Sequence, residues 1–346
     1  MAIEWNKISS SLCSHQPVAI QKRVIQLLDR LQQDPSCVFL YIVQYGIPEV
    51  AGLRALVWSC CIRRHFDSIP LDSYWDLVAE YDRYPTERLC EDEAISDGMD
   101  HPLNPSDDSI WQQYFSSQRL LNRIQMDTIR THPDWHLFRQ RESSMNRILF
   151  LFAKRHPQLG YIQGMNEMVA PFVYVYLGDG HLFWEEKQRE AEAFIAFERF
   201  FYSFVSCLYQ NISCLQDRLV QADHLLKEWD PILWQHLNRY QVDWLLFGRR
   251  WLQLCLCREF ELPELFKIWD VLISIPNDSL RWKWLIGFMV VMMIHCKSLL
   301  LSCSSFQQCI SILQHYSTSC HMNESQVFQL IHETQQRIQR QQDHPS

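Results

Sequence analysis

At 346 residues the chain can bury one large core or two ordinary ones, so size sets no limit on folding. Hydrophobic residues make up 47% of it, so most of it is expected to fold, and a net charge of −8 without any Lys/Arg stripe argues against nucleic acid as a partner. The 13 cysteines are odd in number, scattered and free of any Cys-x-x-Cys pair, which excludes a zinc or thioredoxin-type framework and reads as reduced thiols of a cytoplasmic protein.

Glycine is scarce and threonine occurs five times, whereas Leu, Gln, Arg and Glu are plentiful; that balance favours helix over sheet. Residues 1–39 read as a helical or flexible lead-in, and Glu4 and Lys7 deny them the character of a signal peptide. Tyr81 to Asp108 gathers Asp, Glu, Pro and Ser and reads as an acidic loop. Its Asp97, Asp100, His101, Asp107 and Asp108 lack the spacing of a ligand set, so no metal is expected.

Helical periodicity then dominates. Leu120, Leu121 and Ile124 form the apolar face of a segment that ends on Arg130, just before the helix-stopping His132-Pro133. Met145, Ile148, Leu149, Phe152 and Ala153 repeat at helical spacing, with Asn146, Arg147, Lys154 and Arg155 on the opposite side, Ser143 or Ser144 as cap and Pro157 as stop. Leu215, Leu219, Ala222, Leu226 and Trp229 repeat the pattern, and helices started by Pro231 and Pro263 follow. Trp284 to Ile294 is apolar but too short to span a bilayer, and His295 and Lys297 interrupt its extension. Past Glu333 the chain turns to Gln and Arg, either a final polar helix turn or a disordered tail. Strand pairs with Asn-Gly or Asp-Gly turns are missing, as is any repeat of 20–50 residues. The expectation is an all-α protein without β-sheet: one large multi-helix domain over 40–320, then a C-terminal helix and polar tail over 321–346. Trp58, Trp251 and Trp269, with Met289, Met292 and Met293, read as core rather than ligand contacts.

Two polar side chains stand at loop–helix junctions. A lone arginine at a helix end, like Arg130, is ordinarily a dipole partner or a solvated charge. Gln163 lies between Tyr161 and Gly164, where the chain leaves a loop and enters a helix. An arginine and a glutamine are what slow GTP hydrolysis lacks, the first to neutralise charge on the transferring phosphate and the second to orient the attacking water. Asp127, three residues before Arg130, can hold the guanidinium by a charge-assisted pair or serve as a surface ion pair. Asn166 and Glu167 occupy the next first turn, where capping is their ordinary task.

With these motifs in order, the chain resembles the TBC domain, the helical GTPase-activating domain that acts on Rab GTPases. Gly46-Ile47-Pro48, Gly52-Leu53-Arg54 and Trp58 match its opening signature; Ile124, Asp127 and Arg130, continued by Thr131 and Pro133, match Ile-x-x-Asp-x-x-Arg. Tyr161 and Gln163 followed by Gly-Met-Asn match Tyr-x-Gln, and Phe247 to Trp251, Glu259-Phe260 and Ile268-Trp269-Asp270 match later structural motifs. The His-Pro-Leu-Asn segment and Trp111 look most like the subgroup of TBC family member thirteen. Departures are Arg249, expected to face outward, and a compact 131–160 without a long insertion.

The resemblance implies a GTPase activator for membrane traffic rather than an enzyme with its own substrate. Arg130 and Gln163 would act in trans on a GTP-bound Rab; Asp127 would position Arg130; Arg54, Trp58, Tyr161 and Asn166 would brace the site. It implies no cofactor or metal of its own, since GTP and Mg²⁺ arrive with the Rab, and recruitment to endomembranes through partners rather than a transmembrane segment. The alternative is a TBC-like scaffold that binds a Rab or another partner without accelerating hydrolysis. A helical hydrolase with its own active site finds no nucleophile–base pair in the sequence.

Overall fold

A chain rich in straight-side-chain residues and poor in β-branched turns becomes helix nearly throughout. The structure, a computed structural model, describes residues 5–33, 35–65, 71–83, 109–178 and 184–343. Among these there are twenty α-helices, a π-helical turn and a 3₁₀ turn, and no strand, so the expected all-α class holds. Two compact units share the helices.

In the unit formed by 71–178 and 184–198, α5 (Leu71–Arg83), α6 (Ile110–Thr128), α7 (His136–Gln140), α8 (Glu142–Arg155), α9 (Met165–Leu177) and α10 (Glu186–Arg199) pack together, α10 as far as Glu198. α8 lies against α5, α6 and α9. Ile124, Met145, Ile148, Leu149, Phe152, Met168, Phe172 and Phe197 are buried in its core. Carboxylates of α10 are drawn in by partners from other helices. Glu190 receives Tyr74 at 2.6 Å, Ser144 at 2.8 Å and Arg147 at 2.7 Å, while Glu198 pairs with Arg155 at 2.7 Å. Four hydrogen bonds engage both Glu190 oxygens and make that buried charge tolerable, whereas Glu198 Oε2 takes no hydrogen bond among the described residues.

Two expectations for α8 change here. Ser144 does not cap the helix; it is buried and donates to Glu190, and the helix begins one turn earlier at Glu142, with Arg141 at the cap position and no side-chain cap bond. Asn146 is buried too, although periodicity set it on the polar side, because α8 is covered on more than one face and offers Asn146 a threonine partner. Of the stretch expected as an acidic loop, Tyr81 to Arg83 belong to α5 instead, and 84–108, with His101 and the aspartates at 97, 100, 107 and 108, lie outside the described residues.

The other unit, 5–65 and 199–343, contains α1 (Trp5–Cys13), α2 (Val18–Gln33), α3 (Pro35–Tyr45), α4 (Leu53–His65), the π turn (Phe200–Val205), α11 (Cys207–Gln210), α12 (Ile212–Trp229), α13 (Pro231–Arg239), the 3₁₀ turn (Trp244–Leu246), α14 (Gly248–Gln253), α15 (Leu262–Ser274), α16 (Asp278–His295), α17 (Lys297–Ser302), α18 (Phe306–Gln314), α19 (Tyr316–Cys320) and α20 (Glu324–Asp343). α16 is surrounded by α12, α14, α15, α17 and α20, which explains why its sequence is apolar almost all round. Trp58, Trp251, Trp269 and Trp284 are fully buried, and the methionines at 289, 292 and 293 join them, as expected of core residues. Arg249 is exposed, also as expected. The Gln/Arg-rich end continues α20 to Asp343 rather than fraying, since Val327, Leu330, Ile331, Thr334 and Ile338 keep one face buried.

Candidate functional site

The site is built where α6 ends and α9 begins. α6 stops at Thr128, and the chain then turns through Arg130 and Thr131 into His132, whose φ of 43° is left-handed. Pro133 cannot extend the helix, and this turn sets Arg130 beyond the last helical residue. On the other segment Gly164 adopts a φ of 104°, a conformation that costs a glycine little, and serves as the cap of α9. The abrupt turn leaves Gln163 exposed at the mouth of the helix.

Neither candidate side chain is engaged. Arg130 and Gln163 are both exposed, and among the described residues neither guanidinium nor amide takes a hydrogen-bond or ion-pair partner. Asp127 does not hold Arg130, contrary to the pairing considered from its spacing. Because the helix ends between them, the i,i+3 geometry of a helix face is lost, and only the Arg130 backbone N–H donates to the Asp127 carbonyl at 3.1 Å. The Asp127 carboxylate instead accepts the Tyr161 hydroxyl at 2.7 Å.

That bond is one of the ties between the segments. Thr131, 2% exposed, accepts the Asn166 amide at 2.9 Å, and its own hydroxyl donates to the Asp127 carbonyl at 3.0 Å. The ties bracket the two candidates: Asp127 and Thr131 lie on either side of Arg130, and Tyr161 and Asn166 on either side of Gln163. Asn166 is therefore a cross-link and not a cap, since α9 has no side-chain cap bond. Beneath them the Thr128 hydroxyl donates to Asn146 at 2.6 Å, fixing the last turn of α6 to α8. Sequence reasoning missed the work of Thr128, Thr131 and Asn146; two of only five threonines so close to one arginine was the available signal.

Burial raises the pKa of the Tyr161 phenol above its ordinary value, and its bond to Asp127 adds to the rise, so it remains a donor at physiological pH. The Arg123 guanidinium lies 5.5 Å from the Tyr161 ring centre and covers the aromatic face.

Arg54 and Trp58 belong to the other unit, where they form a cluster of their own. Arg54 donates from Nε to Asp270 at 3.0 Å and from both terminal nitrogens to Glu49 at 2.7 and 3.1 Å; Trp58 donates to Asp270 at 2.8 Å. Arg54 is thus an enclosed cation with two carboxylate partners. Burial opposes its charge, but Asp270 and Glu49 outweigh that and hold its pKa above the usual value. Burial pushes the Asp270 carboxyl up while Arg54 pulls it back. For Glu49 the burial cost is overcome by Arg54 and Lys267, and its pKa falls to about 2.

Residues 51–301 match the model of the Rab-GTPase-TBC domain. The chain belongs to that family. Mouse TBC1 domain family member 13 is 26% identical over 358 residues, covering 78% of this chain and 87% of the relative. Human TBC1 domain family member 5 is 28% identical over 262 residues, and the chain spans about a third of that protein's length, 32%, from 63% of its own. The crystal structure of the Ypt/Rab-GAP domain of Gyp1p matches with a TM-score of 0.65 at 22% identity, over 91% of this chain and 97% of that one, and shares the TBC fold. Among the described residues no helix is long and apolar enough to cross a membrane, and no group of His, Cys, Asp or Glu suits a metal ion.

Proposed function

We propose that this TBC domain is a GTPase-activating protein for a Rab-family GTPase. Arg130 enters the nucleotide site and offsets charge on the transferring phosphoryl oxygens, and Gln163 orients the attacking water in place of the GTPase's own glutamine. Asp127, Tyr161, Thr131 and Asn166 set the two loops against each other, and Arg54 and Trp58 brace the fold. The observation that carries the reading is that two exposed side chains, without partners among the described residues, stand on loops tied together on either side of them. The loops are fixed by their neighbours while the two exposed side chains stay available to an incoming partner.

The chemistry is assembled from both proteins. GTP and Mg²⁺ belong to the Rab, and this chain contributes donors that cost no reorganisation when the charge develops. Such a role suits a protein of membrane traffic that reaches endomembranes through its Rab and other partners. Single-turnover GTP hydrolysis across a panel of GTP-loaded Rabs tests it. At least one Rab is expected to be accelerated by orders of magnitude, whereas binding to a Rab with no acceleration of any would leave a scaffold instead.

A further inference from the structure

We infer that Met126, on the outward face of α6, and Ile129, its C-cap residue beside Arg130, are the apolar anchors onto which the GTP-loaded GTPase docks. The inference rests on the activator reading above. α6 buries Ser117, Ile124 and Thr128 on its inner side. Its outer side carries Phe115, Arg119, Asn122, Met126 and Ile129 at intervals of four, three, four and three residues, all exposed. Met126 and Ile129 are 59% and 62% exposed, large fractions for apolar side chains this close to a polar site.

Their position decides the matter. Ile129 adjoins Arg130 in the chain, about 3.8 Å between Cα atoms, and Met126 is roughly one helical turn, ~5.4 Å, further back. Arg130 can neutralise a phosphate oxygen only at hydrogen-bond distance, which brings the protein surface around the nucleotide within one side-chain length of the Arg130 backbone. Ile129 and Met126 then lose their water to that surface. Charge points to the same occupant: from Ile110 to Arg130 there are three arginines and one aspartate, the aspartate bonded to Tyr161, on a chain of net charge −8. A locally basic face around an arginine matches a protein that presents a triphosphate, and the exposed apolar side chains beside it gain from being covered.

The assignment divides labour. Contacts of Met126 and Ile129 are made equally before and during hydrolysis, so they raise affinity and leave the maximal rate alone, whereas Arg130 acts on the rate. Met126→Gln and Ile129→Gln keep length and helix propensity, and at exposed positions they leave the fold intact. With the responsive Rab of the panel, single-turnover rates are measured against activator concentration. Each variant is expected to raise the half-saturating concentration about tenfold, the order of an apolar hot spot, with the maximal rate within twofold and the melting temperature unchanged. Phe115→Gln, on the same face roughly 16 Å from Met126, is expected to change neither. An unaltered half-saturating concentration in both anchor variants, or a fall in maximal rate alone, overturns the docking assignment while the activator reading stands. A wild-type chain that accelerates no Rab removes both.

Discussion

Among the described residues Arg130 has no partner, which makes its removal a clean experiment. An exposed side chain beyond the end of α6 fills no core space, so Arg130→Ala opens no cavity. Activation of the cognate Rab is expected to fall by a factor of ~10³ or more, the scale of an arginine supplied in trans, at an unchanged melting temperature. Arg130→Lys is expected to fail nearly as badly, because a point charge does not reproduce the planar fork of donors. Near-normal single-turnover rates in either variant would withdraw Arg130 from the chemistry. Gln163→Ala belongs to the same class, since Gln163 is equally exposed and Gly164, not Gln163, carries the unusual backbone angle.

The helix ends are where spacing misleads. Periodicity found α6, α8, α12, α13 and α15 well, and the loop and stop signals placed Arg130 and Gln163 at the right junctions, because apolar repeats and proline stops are local signals. It paired Asp127 with Arg130 because three residues along a helix are neighbours, and it could not know that the helix ends at Thr128. It set Asn146 outside because an amide among arginines looks solvated, whereas its partner, Thr128, is a tertiary contact. The tie between Asp127 and Tyr161 is testable as a pair. Asp127→Asn and Tyr161→Phe are each expected to lower the hydrolysis rate more than Rab affinity. Together they should lose little beyond either alone, with a coupling of about 1–2 kcal/mol in a double-mutant cycle. Additive losses would mean that the two side chains act separately.

A second element-scale prediction concerns α4 and α15. Arg54→Ala leaves Asp270, 1% exposed, with Trp58 but without its cation, a change that costs ~3–5 kcal/mol when a buried pair is broken. The melting temperature is expected to drop with it; a stable but inactive variant would move Arg54 from the scaffold to the working surface. Glu49 provides a pH signature. Its folded pKa of about 2 lies below the ordinary 4.5, so the stability it contributes is present above pH ~4.5 and is lost as pH falls towards 2. The contribution is small because the Glu49 side chain is 62% exposed. The melting-temperature gap between wild type and Glu49→Gln should therefore be open at pH 7 and closed near pH 2. A gap that persisted in acid would show that packing, not charge, sets it.

At the scale of the whole molecule, one crossing between the two units leaves no mark in composition. The chain changes unit between Glu198 and Arg199, inside α10, where no proline, glycine or charge run announces it. Motif order, by contrast, identified the family because the matching residues, from Gly46 to Asp270, are each tied to a local conformation that the fold requires. On the activator reading the rest of the active site lies outside this chain, with the nucleotide, the metal and the water on the GTPase. That division of parts yields the most discriminating test. If Gln163 supplies the water-orienting amide, a Rab whose own switch glutamine is replaced by leucine still finds an amide in the complex, and it should remain substantially responsive. An activator that brings only an arginine needs the Rab's glutamine and would lose its effect entirely. The comparison is made at saturating activator, so that weakened binding does not pass for lost chemistry. Combining the Rab substitution with Gln163→Ala removes both amides and should abolish the response. A glutamine-less Rab that ignores the wild-type chain under those conditions would assign Gln163 to the scaffold and leave Arg130 to act alone.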